Sequence, residues 1–61
     1  MLIRIKDADT YRTIFQYKTE TPPCFHEHDD ITWQGLTYSI KCVEYQFDDH
    51  CELYMIIIYV V

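Results

Sequence analysis

The chain has 61 residues, enough for one domain spanning 1–61, and at that size only roughly 60% of the unfolded surface can be buried. Its 49% hydrophobic and 16% aromatic content, with one glycine and two prolines, excludes a disordered or low-complexity segment. The net charge of −5 disfavours direct binding to nucleic acid or an anionic membrane, and it is unevenly placed: Arg4, Lys6, Arg12 and Lys18 outnumber Asp7 and Asp9 up to residue 18, whereas Lys41 alone faces all the later acids.

Met1-Leu2-Ile3-Arg4-Ile5-Lys6-Asp7 interrupts its apolar residues with charge at once, unlike a secretory signal, so a cytoplasmic location is expected. Ile3 and Ile5 alternate with Leu2, Arg4 and Lys6, the pattern of a short strand with one buried face. After the break at Asp7-Ala8-Asp9, Tyr11, Thr13, Phe15 and Tyr17 share one face of a second strand and Arg12, Gln16 and Lys18 the other, with Ile14 the exception. These two strands are predicted to form a hairpin. Thr19 to Asp30 contains Pro22-Pro23 and many polar residues, which a sheet ladder does not tolerate, so it is predicted to be a loop. Its length is more typical of loops that carry function or are ordered by an outside constraint.

Ile31 to Tyr38 places Gln34-Gly35, with the only glycine, between two alternating segments at the spacing of a two-residue hairpin. Trp33 then pairs with Leu36 and Ile31 with Tyr38, which puts the large apolar residues on one face. That face continues through Ile40 and Cys42, but from Val43 the apolar parity switches to Val43, Tyr45 and Phe47, as a β-bulge or strong bend would produce. Asp48-Asp49-His50 makes the last turn. Leu53 to Val61 is apolar at every position and reads as a strand buried on two sides. It is about half the roughly 20 residues of a membrane-spanning helix, so no membrane association is expected. So small a chain offers little to cover this strand. Homodimerisation by edge-to-edge pairing of the final strand, through Ile56, Ile57, Ile58 and Tyr59, is therefore one expectation.

Five strands with short turns and no 3.6-residue period give an all-β fold, a small five-stranded antiparallel curled sheet or barrel. The segment Asp29-Asp30-Ile31-Thr32-Trp33-Gln34-Gly35-Leu36-Thr37-Tyr38-Ser39-Ile40 resembles the acidic-x-Ile-x-Trp-x-Gly-x-x-Tyr-x-Val-like hairpin of many small SH3-like barrels, including proteins of phages and mobile elements. The resemblance covers about a fifth of the chain. It implies a fold and an origin, and transfers no functional residue, because those barrels share no chemistry.

Three chemistries can be weighed. Cys24, His26 and His28 would point the same way in an extended segment, and Cys51 or His50 would complete a tetrahedral zinc site. The spacing matches no common zinc module, which favours a solvated loop with Cys24 tucked beneath it, and no cofactor is expected. The three cysteines, an odd number, are expected to be free thiols packed as small hydrophobes. Cys24 near His26 and Cys51 beside His50 are poor nucleophiles, because sequence neighbours in a strand point apart and surrounding carboxylates raise a thiol pKa. No phosphate-cradling loop or serine elbow is present, and the chain is read as non-enzymatic.

The third possibility is the surface itself. Glu27, Asp29 and Asp30 in one loop, with Asp48, Asp49 and Glu52 in another, are expected to come close together, flanked by Tyr45, Phe47 and Tyr54. Such a surface suits a basic partner, for example a nucleic-acid-binding enzyme whose groove it would occupy, as in a phage or mobile-element inhibitor. Two other readings stay open: a self-assembling structural component of a phage particle, and a zinc-stabilised module. Acidic turns that only keep a sticky domain in solution are the bland counterpart to all of them.

Overall fold

A computed structural model describes residues 1–21 and 23–61; Pro22, half of the expected ladder-breaking pair, lies outside the described residues. The strands are β1 (Leu2–Asp7), β2 (Thr13–Lys18), β3 (Asp30–Trp33), β4 (Leu36–Phe47) and β5 (Leu53–Val60), in the sheet order β2-β1-β5-β4-β3. The curled five-stranded sheet forms as expected. It is mixed, because β1 and β5 run parallel while the other neighbours are antiparallel. Turn signals between consecutive strands reveal hairpins, but they carry no information on a pair separated by most of the chain.

The β3–β4 hairpin has the expected register, Trp33 opposite Leu36 and Ile31 opposite Tyr38. Gln34 and Gly35 both take positive φ, 49° and 78°, the geometry of a type I′ turn, which glycine adopts without strain. In β4 the register shifts between Ile40 and Cys42, so Lys41 is the extra residue and the core face passes from Ile40 to Val43. A second shift makes Ile14 extra between Thr13 and Phe15, which lets Ile14 as well as Phe15 pack on the core. The bulge is the physical reason for the Ile14 exception. Tyr11 lies outside β2, in the turn.

The core is a sheet of branched aliphatics on one face: Ile3 and Ile5 of β1, Ile56, Ile58 and Val60 of β5, and Ile40 of β4. Curling covers it. In a flat sheet β2 and β3 would stand about 19 Å apart, four steps of ~4.8 Å, yet Phe15 of β2 stacks on Trp33 of β3 with ring centroids 4.6 Å apart. The two edges therefore converge over the concave face. The loop after β2 helps to close it: Thr19 is bonded to Met1 at one end of the sheet, His28 to Ile40 at the other, and Phe25 between them packs on the core.

This topology corrects the expected oligomer contact. β5 is the central strand, hydrogen-bonded to β1 on one side and β4 on the other, so it has no free edge to offer a second copy. Ile56, Ile57 and Ile58 are buried within their own chain. Ile57 faces away from the core, between its register partners Arg4 and Glu44, and is still only 6% exposed. Long charged side chains can cover an apolar strand with their stems while their heads stay wet, and the register places Arg4 and Glu44 on either side of Ile57 for that role. Tyr59, on that same outer face, is half-buried. Among the described residues no helix is long and apolar enough to cross a membrane.

Candidate functional site

The expected site residues fall into two groups at opposite ends of the half-barrel. The first acidic segment is fixed beside Ile40, where His28 N–H donates to the Ile40 carbonyl (2.9 Å) and Ile40 N–H to the Asp29 carbonyl (2.8 Å). Ile40 pairs with Val60, so Glu27, Asp29 and Asp30 belong to the Val60 end. The second segment follows Phe47, which pairs with Leu53 at the far end of the same strand. The seven steps from Ile40 to Phe47 span about 23 Å at strand rise. The expectation that the two acidic loops meet is corrected accordingly: β4 is long and pairs with β5 over most of its length, so it holds them apart.

At the Phe47 end the acidic turn and the aromatics do come together. Asp48 Oδ1 accepts from the backbone N–H of His50 (2.8 Å) and of Glu52 (3.0 Å). Cys51, with φ 61°, closes the turn by donating its N–H to the Asp48 carbonyl. Such aspartate-centred turns are a local alternative to the sheet ladder. Asp48 is thus occupied in building the turn, and Asp49 and Glu52 project from it as exposed carboxylates. Phe47 enters the turn 59% exposed and Tyr54 leaves it 49% exposed, at a register shift that makes Tyr54 the extra residue.

Tyr45 completes the group. It stands opposite Ile56, which neighbours Ile3, which in turn faces Tyr17, so one rung across the concave face reads Tyr17-Ile3-Ile56-Tyr45. The two isoleucines are buried, and the tyrosines at the rung's ends are 38% and 53% exposed. Tyr17 continues onto Phe15 in a stacked pair with centroids 6.5 Å apart. Tyr17 shares a face with Phe15 as its alternation predicts, and its location on the edge strand β2, which only the topology reveals, leaves it exposed.

The zinc set is not assembled. Asp29 N–H donates to the His26 carbonyl, His26 N–H to Asp29 Oδ2, and His28 takes φ 74°, so a tight turn replaces the extended backbone that would have aligned Cys24, His26 and His28. Cys51 sits in the turn at the Phe47 end, and among the described residues no group of three His, Cys, Asp or Glu side chains converges as metal ligands would. Cys24, Cys42 and Cys51 are free thiols, but all are exposed, not packed as small hydrophobes. Cys42 is turned outward by the Lys41 bulge.

No ion pair engages the carboxylates at the Phe47 end among the described residues. The one ion pair among the described residues joins Glu27 to its neighbour His28 at 3.4 Å, with both side chains largely in water, and contributes little. Asp49 and Glu52 therefore have no cationic partner among the described residues. The arrangement suits binding: carboxylates on a hydrogen-bonded turn beside aromatic faces attract a cationic surface and give it apolar anchors. Comparison with known proteins adds nothing further, as no family model, curated protein or solved structure matches this chain.

Proposed function

We propose that this chain is a small non-enzymatic binding protein that engages a basic protein surface with its Phe47 end. The observation that carries the reading is three exposed aromatic residues, Tyr45, Phe47 and Tyr54, gathered at the turn that bears Asp48, Asp49 and Glu52. Exposed large apolar side chains clustered at one place are the informative departure from an ordinary surface. Aromatic anchors provide affinity once desolvated, and the carboxylates steer a cationic partner and set its orientation. A nucleic-acid-handling protein is the partner class with the most suitable surface, and inhibition by occupying its basic groove is the role this favours, in the setting of a phage or mobile element. One end of the half-barrel, and not two joined loops, makes the contact.

The test is affinity capture from a lysate of the source cell, with the bound partner identified and its binding to purified chain titrated at rising salt. Affinity should fall steeply with ionic strength. Phe47→Ser should weaken binding by about thirtyfold or more, the range of a buried aromatic anchor, and Asp30→Asn at the opposite end should leave it nearly unchanged. Salt-insensitive binding, or equal loss from both substitutions, would overturn the reading.

A further inference from the structure

The outer face of the sheet, away from the Phe47 end, carries a pocket of about 260 Å³ lined by Ala8, Tyr11, Lys41, Cys42, Glu44 and Tyr59. It lies just below the roughly 300 to 1,000 Å³ of drug-sized ligand sites, so its occupant is small. Two local irregularities build it. Tyr11 is held at φ 61°, a left-handed conformation costly for a tyrosine, in a turn pinned by Tyr11 N–H to the Asp7 carbonyl (2.8 Å) and Ala8 N–H to the Val60 carbonyl (2.8 Å). The β4 bulge makes Lys41 the extra residue, and Lys41 and Cys42 then line the same pocket, where regular alternation from the buried Ile40 would have sent Cys42 to the core face.

The chemistry of the lining is specific. Tyr11 and Tyr59 meet edge to face, with centroids 6.0 Å apart and planes at 86°, which forms an aromatic corner. Tyr11 is 66% exposed, so its ring is presented to solvent and not absorbed into the core. Glu44 stands beside Tyr59, close enough to help hold the phenol above its ordinary pKa, an effect to which burial contributes most. An aromatic corner next to a carboxylate favours an alkylated ammonium, through cation–π attraction and Coulomb attraction together. Lys41 would repel a bare cation, but it matches an anionic group on the same ligand.

We infer that this pocket binds a small zwitterion of the betaine type, its alkylammonium in the Tyr11–Tyr59 corner by Glu44 and its carboxylate on Lys41. The inference is independent of the Phe47 end, and its test leaves that surface untouched.

The experiment is titration of isotope-labelled chain with glycine betaine, tetramethylammonium or acetate, followed through backbone amide shifts. Betaine should produce saturable shifts confined to the turn around Tyr11 and to residues near Lys41, Glu44 and Tyr59, and should bind more tightly than either ion alone. Tyr11→Leu should weaken it about fivefold, the equivalent of ~1 kcal/mol of cation–π attraction at an exposed ring. Lys41→Gln should bring betaine down to the affinity of tetramethylammonium, with unchanged shifts elsewhere showing that the fold is intact. No saturable shift with betaine, or wild-type binding of tetramethylammonium as tight as betaine, would overturn the assignment.

Discussion

The two acidic segments look alike in sequence and lie in different company. Each has adjacent aspartates and nearby histidine and cysteine, and in each one aspartate holds its own turn: Asp29 accepts from His26 N–H and Asp48 from His50 and Glu52 N–H. At the Val60 end the segment is tied to Ile40 and supplies a strap across the open face, with Phe25 packed inward. At the Phe47 end the turn has no such backbone tie among the described residues and is bordered by exposed aromatics. Charge alone does not distinguish the two. What separates them is whether the neighbouring aromatic residue is packed on the core or left exposed, so a run of acids indicates a binding surface only where apolar side chains are exposed beside it.

Both ends depend on one strand, and this is where the comparison breaks most readily. Ile58, fully buried in the middle of β5, has Ile5 on one side and Val43 on the other. Ile58→Ala should destabilise the domain by roughly 2–5 kcal/mol, a large share of the stability of a fold this small. Denaturant titration followed at both ends should show a single transition. Separate transitions for the Phe47 and Val60 ends would mean that they are independent units.

The hairpin at Gln34-Gly35, a bulge in β4 and the buried character of β5 are legible in the sequence, because they rest on local turn chemistry, a break in period-two alternation and an unbroken apolar run; the bulge falls at Lys41, before Cys42 and not after it as the parity suggests. The parallel β1–β5 pair is not legible, since it joins segments from opposite ends of the chain and follows from curling as a whole. Placing β5 in the centre removed the proposed pairing through Ile56, Ile57, Ile58 and Tyr59. The same topology separates the acidic loops that were expected to meet. Of the candidate site, Tyr45, Phe47, Tyr54, Asp48, Asp49 and Glu52 were readable as a contiguous stretch, whereas Tyr17 and the Tyr11–Lys41–Glu44–Tyr59 pocket needed the register. A positive φ at Tyr11 leaves no mark in hydrophobic periodicity, and the parity switch in β4 signals a bulge without showing that Lys41 and Cys42 come to share a pocket with Tyr11.

A smaller effect sharpens the division of labour within the Phe47 turn. Asp48→Ala removes the acceptor for two backbone N–H groups at a water-exposed site, and should cost about 1 kcal/mol in thermal or denaturant unfolding. Asp49→Ala should stay within about 0.5 kcal/mol, as expected of a surface side chain without such partners. For partner binding the order should reverse once the loss from unfolding is corrected, because Asp49 is the carboxylate left free to meet a cation. Equal stability costs at the two positions would show that Asp49 also supports the turn.

The smallest effect belongs to the outer face near Val60. Tyr59 has its pKa raised above the ordinary 10.0, first by burial and then by the charge of Glu44, with Cys42 and Tyr11 adding to it. A folded-state pKa above the unfolded value means that the neutral phenol favours the folded chain. That contribution is complete below the unfolded pKa and is lost as pH climbs through the higher folded value, so stability should decline in the alkaline range above about 10. Glu44→Gln should lower the Tyr59 pKa without returning it to the ordinary value, since burial remains. Carbon-13 shifts of labelled tyrosine across the alkaline range would follow it directly. A Tyr59 titration unmoved by Glu44→Gln would place the carboxylate too far from the phenol to act on it, and would separate Glu44 from the aromatic corner.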